Sequence, residues 1–227
     1  MLQLAPSRKE SKDMPQSEIK PLFPEIVQGK INTVEFLAAA RGIVRIVDKL
    51  GNVFAPIKYD IQGNIDKLTA THETNKEENV TLQDMILIEK ATKTNLIATD
   101  ALLWLTRYRL LIVYLISVRA LNMILLFFEK IVQDTKTGTP TEDLVAFLKK
   151  SYKEALEPYH AWMAQQLFDL LSRMVPTRSQ LLKALTSQQA DQNEIFTHNM
   201  EIYLTNLRQN ITVLQLFYRT HRLQSTP

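Results

Sequence analysis

Residues 53–67, VFAPIKYDIQGNIDK, place a proline where the first turn of a helix accepts one, followed by three polar residues in register. Asp60, Asn64 and Lys67 stand at i, i+4 and i+7, so that Asn64 and Lys67 each lie within about 40° of Asp60 on a helix turning about 100° per residue. A carboxylate, an amide and an ammonium on one stripe offer acceptors, mixed donors and a fixed positive charge. Such a trio can hold a hydroxyl-rich group. The same residue types also make an ordinary solvated helix face, so the spacing alone leaves both readings open.

Outward from this stretch the chain reads as helices punctuated by caps. Asn32-Thr-Val-Glu35 predicts a capping box opening a helix that runs to Leu50, with Gly51 stopping it. Pro56 starts the helix carrying Asp60 to Lys67, and Thr81-Leu-Gln-Asp84 opens another that runs toward Lys93. From Asn95 to Asp134 the pattern is helical and very apolar, up to the turn Thr137-Gly-Thr-Pro140. Thr141-Glu-Asp begins the next helix, bent or restarted at Pro158 and continuing through Trp162 to Met174. Pro176 breaks it, and Ser179 to Leu185 and Gln192 to Arg222 complete the set. No run alternates with a two-residue period, so the fold class is all-α, with about eight helices.

Composition narrows the function classes. In 227 residues, 45% hydrophobic, one good core is the default, and five glycines and nine prolines are few for a protein of many short strands. A net charge of +3 and a pI near 9.0 suit an anionic membrane surface but are too weak to argue for nucleic acid. Without cysteine there are no disulfides or thiolate metal sites, which fits a reducing compartment. Residues 1–16 are polar, lack the apolar core of a secretory signal, and read as a loose tail ahead of a single domain over 17–223. Leu110 to Phe128 is long and apolar enough to suggest a membrane span, but Arg119 interrupts it at a cost of about 2.5–3.5 kcal/mol near mid-span. The spanning reading is therefore disfavoured.

Two further motifs bear on the stripe. Ala101-Leu-Leu-Trp104-Leu-Thr-Arg107 sets a tryptophan inside a helical pattern, with Asp100 one turn earlier, and Tyr159-His160-Ala161-Trp162 sets a histidine beside a second tryptophan. Taken singly, a tryptophan on an apolar stripe is ordinarily core, and a histidine among aromatics is ordinarily structural. His72, His198 and His221 have no companions suggesting metal or catalysis.

Together the three motifs resemble those of the glycolipid transfer protein family. The pattern V-F-x-P-I-K-x-D-I-x-G-N-I-x-K is matched from Val53 to Lys67, L-x-W-L-x-R at Leu102, Trp104, Leu105 and Arg107, and Y-H-x-W at Tyr159, His160 and Trp162. The resemblance covers roughly residues 33–218. It implies a two-layer sandwich of eight helices, with a surface headgroup site leading into an apolar pocket for lipid chains. On that resemblance Asp60 accepts hydrogen bonds from sugar hydroxyls, Asn64 and Lys67 donate to the sugar, and Trp104 stacks on its ring. His160 bonds the ceramide amide. Val47, Ile57, Leu156, Phe168 and Tyr203 line the chain pocket, and Trp162 enters the membrane interface.

The function so implied is transfer of neutral glycosphingolipids (glucosylceramide, galactosylceramide, lactosylceramide) between membranes, without chemistry or cofactor. The carrier is expected to be a cytoplasmic monomer that touches membranes transiently. A phosphate headgroup calls for arginine or lysine on this face, whereas Trp104 and the acidic Asp100 argue for a neutral sugar. Asp100 stands where the family varies; it can bond a further hydroxyl and should disfavour anionic headgroups.

Three alternatives remain: a sensor that binds glycolipid without moving it, a carrier of a phosphorylated sphingolipid, and an enzyme. Asp60, Lys67 and His160 can be cast as an acid–base set, or Asp60 with Asp100 as a glycosidase pair, but no nucleophile elbow, metal motif or phosphate loop accompanies them. One segment departs from the family. Between Arg107 and Ala120 the twelve residues Tyr108 to Arg119, YRLLIVYLISVR, intervene where the family helix continues directly. As helix they add about 18 Å and rotate every downstream residue by about 120°.

Overall fold

The computed structural model describes residues 21–92, 96–106, 120–157, 162–186 and 192–223. Within them lie nine α-helices: α1 (Thr33–Lys49), α2 (Ala55–Thr74), α3 (Leu82–Thr92), α4 (Ile97–Thr106), α5 (Ala120–Thr135), α6 (Val145–Ala155), α7 (Trp162–Ser172), α8 (Arg178–Leu185) and α9 (Gln192–Thr220). A single 3-10 turn, Asn52–Phe54, links α1 to α2. The only β pairing among the described residues is two isolated bridges, Val27 with Lys30 and Asn32 with Thr81. The fold is all-α.

Local chemistry explains several helix ends. The Asn32 side chain accepts from the Glu35 N–H at 3.0 Å, and the chain leaves α1 through Gly51 at φ 106°, a conformation that favours glycine. Thr81 Oγ1 accepts from the Asp84 N–H at 3.1 Å and donates to the Asp84 carboxylate at 2.6 Å. At α8 the capping box sits one step earlier than Ser179 suggests: Thr177 accepts from Gln180 N–H, and the Gln180 side chain accepts from Thr177 N–H.

The helix expected from Thr141 begins instead at Val145. Thr141 and Glu142 are held by partners on the neighbouring α5 and α8. Thr141 N–H donates to Asp134 Oδ2 at 2.8 Å, the Thr141 carbonyl accepts from Arg178 Nε at 2.8 Å, and the Glu142 carboxylate accepts from Ser179 N–H at 3.1 Å. Arg178, almost wholly buried, also bonds Asp134 and Thr135, so one guanidinium joins the end of α5 to the start of α8.

Helix α1 packs on α2 and α8, and α2 packs on α4. Helix α5 lies between α6 and α9, and α7 packs on α6. The two groups meet where α4 touches α5 and α9 and where α8 touches α9, giving a two-layer sandwich around one contiguous core. Helix α9 runs through it with Phe196, Met200, Tyr203, Leu207, Leu214 and Tyr218 buried at helical spacing. Of the apolar run from Leu110 to Phe128, residues 110–119 lie outside the described residues. Leu121, Met123, Ile124, Leu125, Phe127 and Phe128 are buried in the core face of α5. Among the described residues no helix is long and apolar enough to cross a membrane.

Candidate functional site

Helix α2 presents the predicted stripe at graded depth. Lys67 is exposed, Asp60 half-buried and Asn64 buried. The Asn64 Nδ2 donates to the Asp60 carbonyl at 3.0 Å and reaches Asp60 Oδ1 at 3.5 Å. The amide is therefore fixed against the residue that carries the carboxylate. At the start of the helix Lys58 donates to Asp48 of α1 at 2.6 Å, and this bond holds the Asp48 carboxyl below its ordinary value. It joins the end of α1 to the first turn of α2. His72, near the other end, is buried with Nδ1 3.0 Å from the Asn79 carbonyl, a structural contact.

Helix α4 packs on α2 and carries the second half of the predicted headgroup set. Asp100 is exposed in its first turn, and its N–H donates to the Leu96 carbonyl at 2.8 Å. The backbone of Trp104 belongs to α4, while its side chain lies outside what is described. His160 and residues 108–119 likewise lie outside the described residues.

The first turn of α4 has a feature that the motifs did not indicate. Glu89 of α3, buried, accepts from Ala98 N–H at 2.7 Å through Oε1. Its Oε2 accepts from Thr99 N–H and from Thr99 Oγ1, both at 2.8 Å. From the opposite direction Tyr218 of α9, fully buried, donates its hydroxyl to the Thr99 carbonyl at 2.9 Å. The N–H groups in a helix's first turn lack intrahelical acceptors, and a carboxylate there also meets the positive end of the helix dipole. No local spacing announces this clamp, because its members are nine or more positions apart.

The residues expected to line a lipid-chain pocket fall in the core. Val47, Leu156, Phe168 and Tyr203 are buried, and Ile57 packs half-buried against the same core. Phe168 of α7 stacks flat on Tyr152 of α6 with ring centroids 3.6 Å apart. Burial pushes the Tyr152 hydroxyl above its ordinary value, with Glu157 adding to the effect. Tyr203 donates to the Ala39 carbonyl at 3.3 Å, and burial raises its hydroxyl also.

Trp162 opens α7 and is 71% exposed. Met163, Leu167 and Leu170 follow at i, i+4 and i+7 of one another and are also exposed, forming an apolar stripe that their spacing could have revealed. Lys150 and Lys153 of the neighbouring α6 are exposed.

A separate open groove of about 1050 Å³ lies between α5 and α9, away from α2 and α4. Its walls carry Glu129, Lys136, Glu201 and Arg208. Arg208 pairs with Glu129 and Lys136 with Glu201. Its size does not make it the headgroup site: the groove is wide open and its charges bind one another across the helix interface. Among the described residues no group of His, Asp or Glu is arranged to hold a metal ion.

Residues 31–187 match the glycolipid transfer protein family. Pleckstrin homology domain-containing family A member 8 of Homo sapiens is 33% identical over 204 residues, which take in 86% of this chain and 36% of that protein. The chain thus spans about a third of the length of the first curated relatives it matches. The structure reported to explain how FAPP2 selects simple glycosphingolipids with this fold has a TM-score of 0.72 at 28% identity, covering 94% of this chain and 96% of that one. Mouse ceramide-1-phosphate transfer protein has a TM-score of 0.71 at 20% identity, covering 87% and 91%, and its likeness concerns the fold alone.

Proposed function

The chain belongs to the glycolipid transfer protein family, and we propose that it carries sphingolipids with neutral sugar headgroups between membranes, making and breaking no covalent bond. Proteins of this fold bind and transfer glycolipids or ceramide 1-phosphate, so the finer question is which headgroup this chain takes. The observation that carries the sugar reading is the character of the α2–α4 face. Asp60 and Asp100 are both acidic, Asn64 is fixed beside Asp60, and Lys67 is the stripe's single cation. Carboxylates accept from hydroxyls, whereas a phosphate asks for several cationic donors.

In this reading Asp60 accepts from sugar hydroxyls, Lys67 donates, and Asn64 steadies the Asp60 turn while offering its own amide. Trp104 covers the apolar face of the ring, and His160 bonds the ceramide amide. Val47, Ile57, Leu156, Phe168 and Tyr203 surround the hydrocarbon. A chain of a dozen methylenes resists leaving the bilayer by roughly 10 kcal/mol at about 0.8 kcal/mol per methylene, so a carrier needs that apolar volume. Trp162, Met163, Leu167 and Leu170 form the face that meets the bilayer, and the exposed Lys150 and Lys153 of the neighbouring α6 add positive charge to attract anionic lipid.

The test is transfer of fluorescent galactosylceramide between vesicles, with ceramide 1-phosphate run in parallel, for the chain as it stands and for a form lacking Tyr108 to Arg119. Sugar-lipid transfer that is lost in Asp60→Val and Trp104→Ala is the expected result. Preferential transfer of the phosphorylated lipid would replace the sugar reading. Binding without transfer would favour a sensor, and transfer by the shortened form alone would place the fault in the insert.

A further inference from the structure

Resting on that reading of the headgroup face, we propose that Glu89 is the positioning residue for headgroup selection, acting through the first turn of α4. It touches no lipid. Its carboxylate takes the N–H groups of Ala98 and Thr99 and the Thr99 hydroxyl at 2.7–2.8 Å. Asp100 is the next residue, and Trp104 stands one turn further along the same helix.

A cap supplied by a side chain on the same helix stabilises the helix wherever it lies. A cap supplied from another helix also fixes its height and rotation against the rest of the fold. Glu89 belongs to α3 and Tyr218 to α9, and they grip Thr99 at opposite ends of its backbone, the N–H and the carbonyl. Two buried tethers from two helices leave α4 one position relative to α2, which carries Asp60, Asn64 and Lys67. A site built of side chains on facing helices selects its ligand only while those helices keep their register, and supporting groups outside the contact shell set that register.

The same contacts account for a buried acid. Glu89 is 8% exposed and pairs with no cation among the described residues; three donors and the positive end of the α4 dipole answer its charge. Its place in the molecule is explained by α4.

The experiment compares Glu89→Gln with wild type in transfer of galactosylceramide and of ceramide 1-phosphate, with thermal melting and far-UV circular dichroism on the same samples. Glutamine keeps the shape but turns one oxygen into a donor facing N–H groups. The preference for the sugar lipid should narrow about tenfold, the equivalent of one lost charged hydrogen bond, in protein that still melts cooperatively. A purely structural role predicts that both rates fall together with the folded fraction and that their ratio stays put; that result overturns the proposal. Should Glu89→Gln fail to fold, Thr99→Ala removes the hydroxyl's bond to Glu89 and Tyr218→Phe removes the hydroxyl that bonds the Thr99 carbonyl. Each should narrow the ratio by a smaller factor, and an unchanged ratio in both overturns it. If wild type transfers galactosylceramide in an Asp60-dependent way while the ratio is insensitive to Glu89, this inference alone falls. If wild type transfers no glycolipid, the parent reading falls and takes this one with it.

Discussion

Helices α1 and α7 are both rich in apolar residues, yet they treat them oppositely. In α1, Phe36, Leu37, Ala40, Ile43 and Val47 are buried on one face, and the polar face meets solvent. In α7, Phe168 turns into the core, while Trp162, Met163, Leu167 and Leu170 are exposed on another side of the helix. The first pattern is what a stable core requires. The second leaves in water side chains worth about 1.5–3 kcal/mol each if fully buried, an arrangement that stability alone does not explain. Apolarity in α1 serves folding; in α7 most of it serves whatever covers that face, which we take to be a bilayer.

The largest effects should come from breaking the α1 side of this contrast. Phe36 is fully buried, its ring 5.4 Å from that of Phe23 in an edge-on pair. Phe36→Ala should cost about 3–5 kcal/mol of stability, measured by denaturant unfolding. Within α7 the same chemistry divides by face: Phe168→Ala should cost a comparable amount by emptying one side of the Tyr152 stack, whereas Leu170→Ala should stay within about 0.5 kcal/mol of wild type. Equal losses at Phe168 and Leu170 would mean that the outer face of α7 is part of the core after all.

The smaller step sharpens the α7 side. The double change Met163→Ser, Leu167→Ser should leave the unfolding midpoint nearly unmoved but lower vesicle binding, seen by sedimentation, by roughly tenfold or more, since each partly buried side chain contributes about 1 kcal/mol at the interface. Undiminished binding would point to another surface as the membrane contact.

How far these features could be read in advance depends on how local their causes are. The limits of α1 were legible because Asn32 and Gly51 act on their own neighbours. The Asp60–Asn64–Lys67 stripe was legible because one helix carries all three. Spacing gave their direction but not their depth, and Asn64 is buried while Lys67 is exposed. The start of α6 differs from the pattern because Asp134 at the end of α5 and Arg178 of α8, outside the segment itself, hold Thr141 out of the helix. The Glu89–Thr99–Tyr218 clamp left no trace in the pattern for the same reason: it joins three helices that only the fold brings together. The insert at Tyr108–Arg119 and the role of His160 lie outside the described residues.

Gly63 offers the finest test of where the stripe's polar surface ends. It sits in the interior of α2, about 60° round the helix from Asp60 and on the side away from Asn64. A Cβ built there would meet nothing within 4 Å, so no neighbour in the fold requires glycine. In a helix interior glycine costs about 0.5–1 kcal/mol relative to alanine, and Gly63→Ala should raise stability by about that much. A residue that lowers stability without a packing reason leaves room for something outside the protein. If the sugar lies over this side of Asp60, the added methyl should slow galactosylceramide transfer severalfold even as the protein melts higher. If transfer keeps pace with wild type, the headgroup lies on the Asn64 side of the stripe. The face shared with α4 would then be the whole of the sugar's footing.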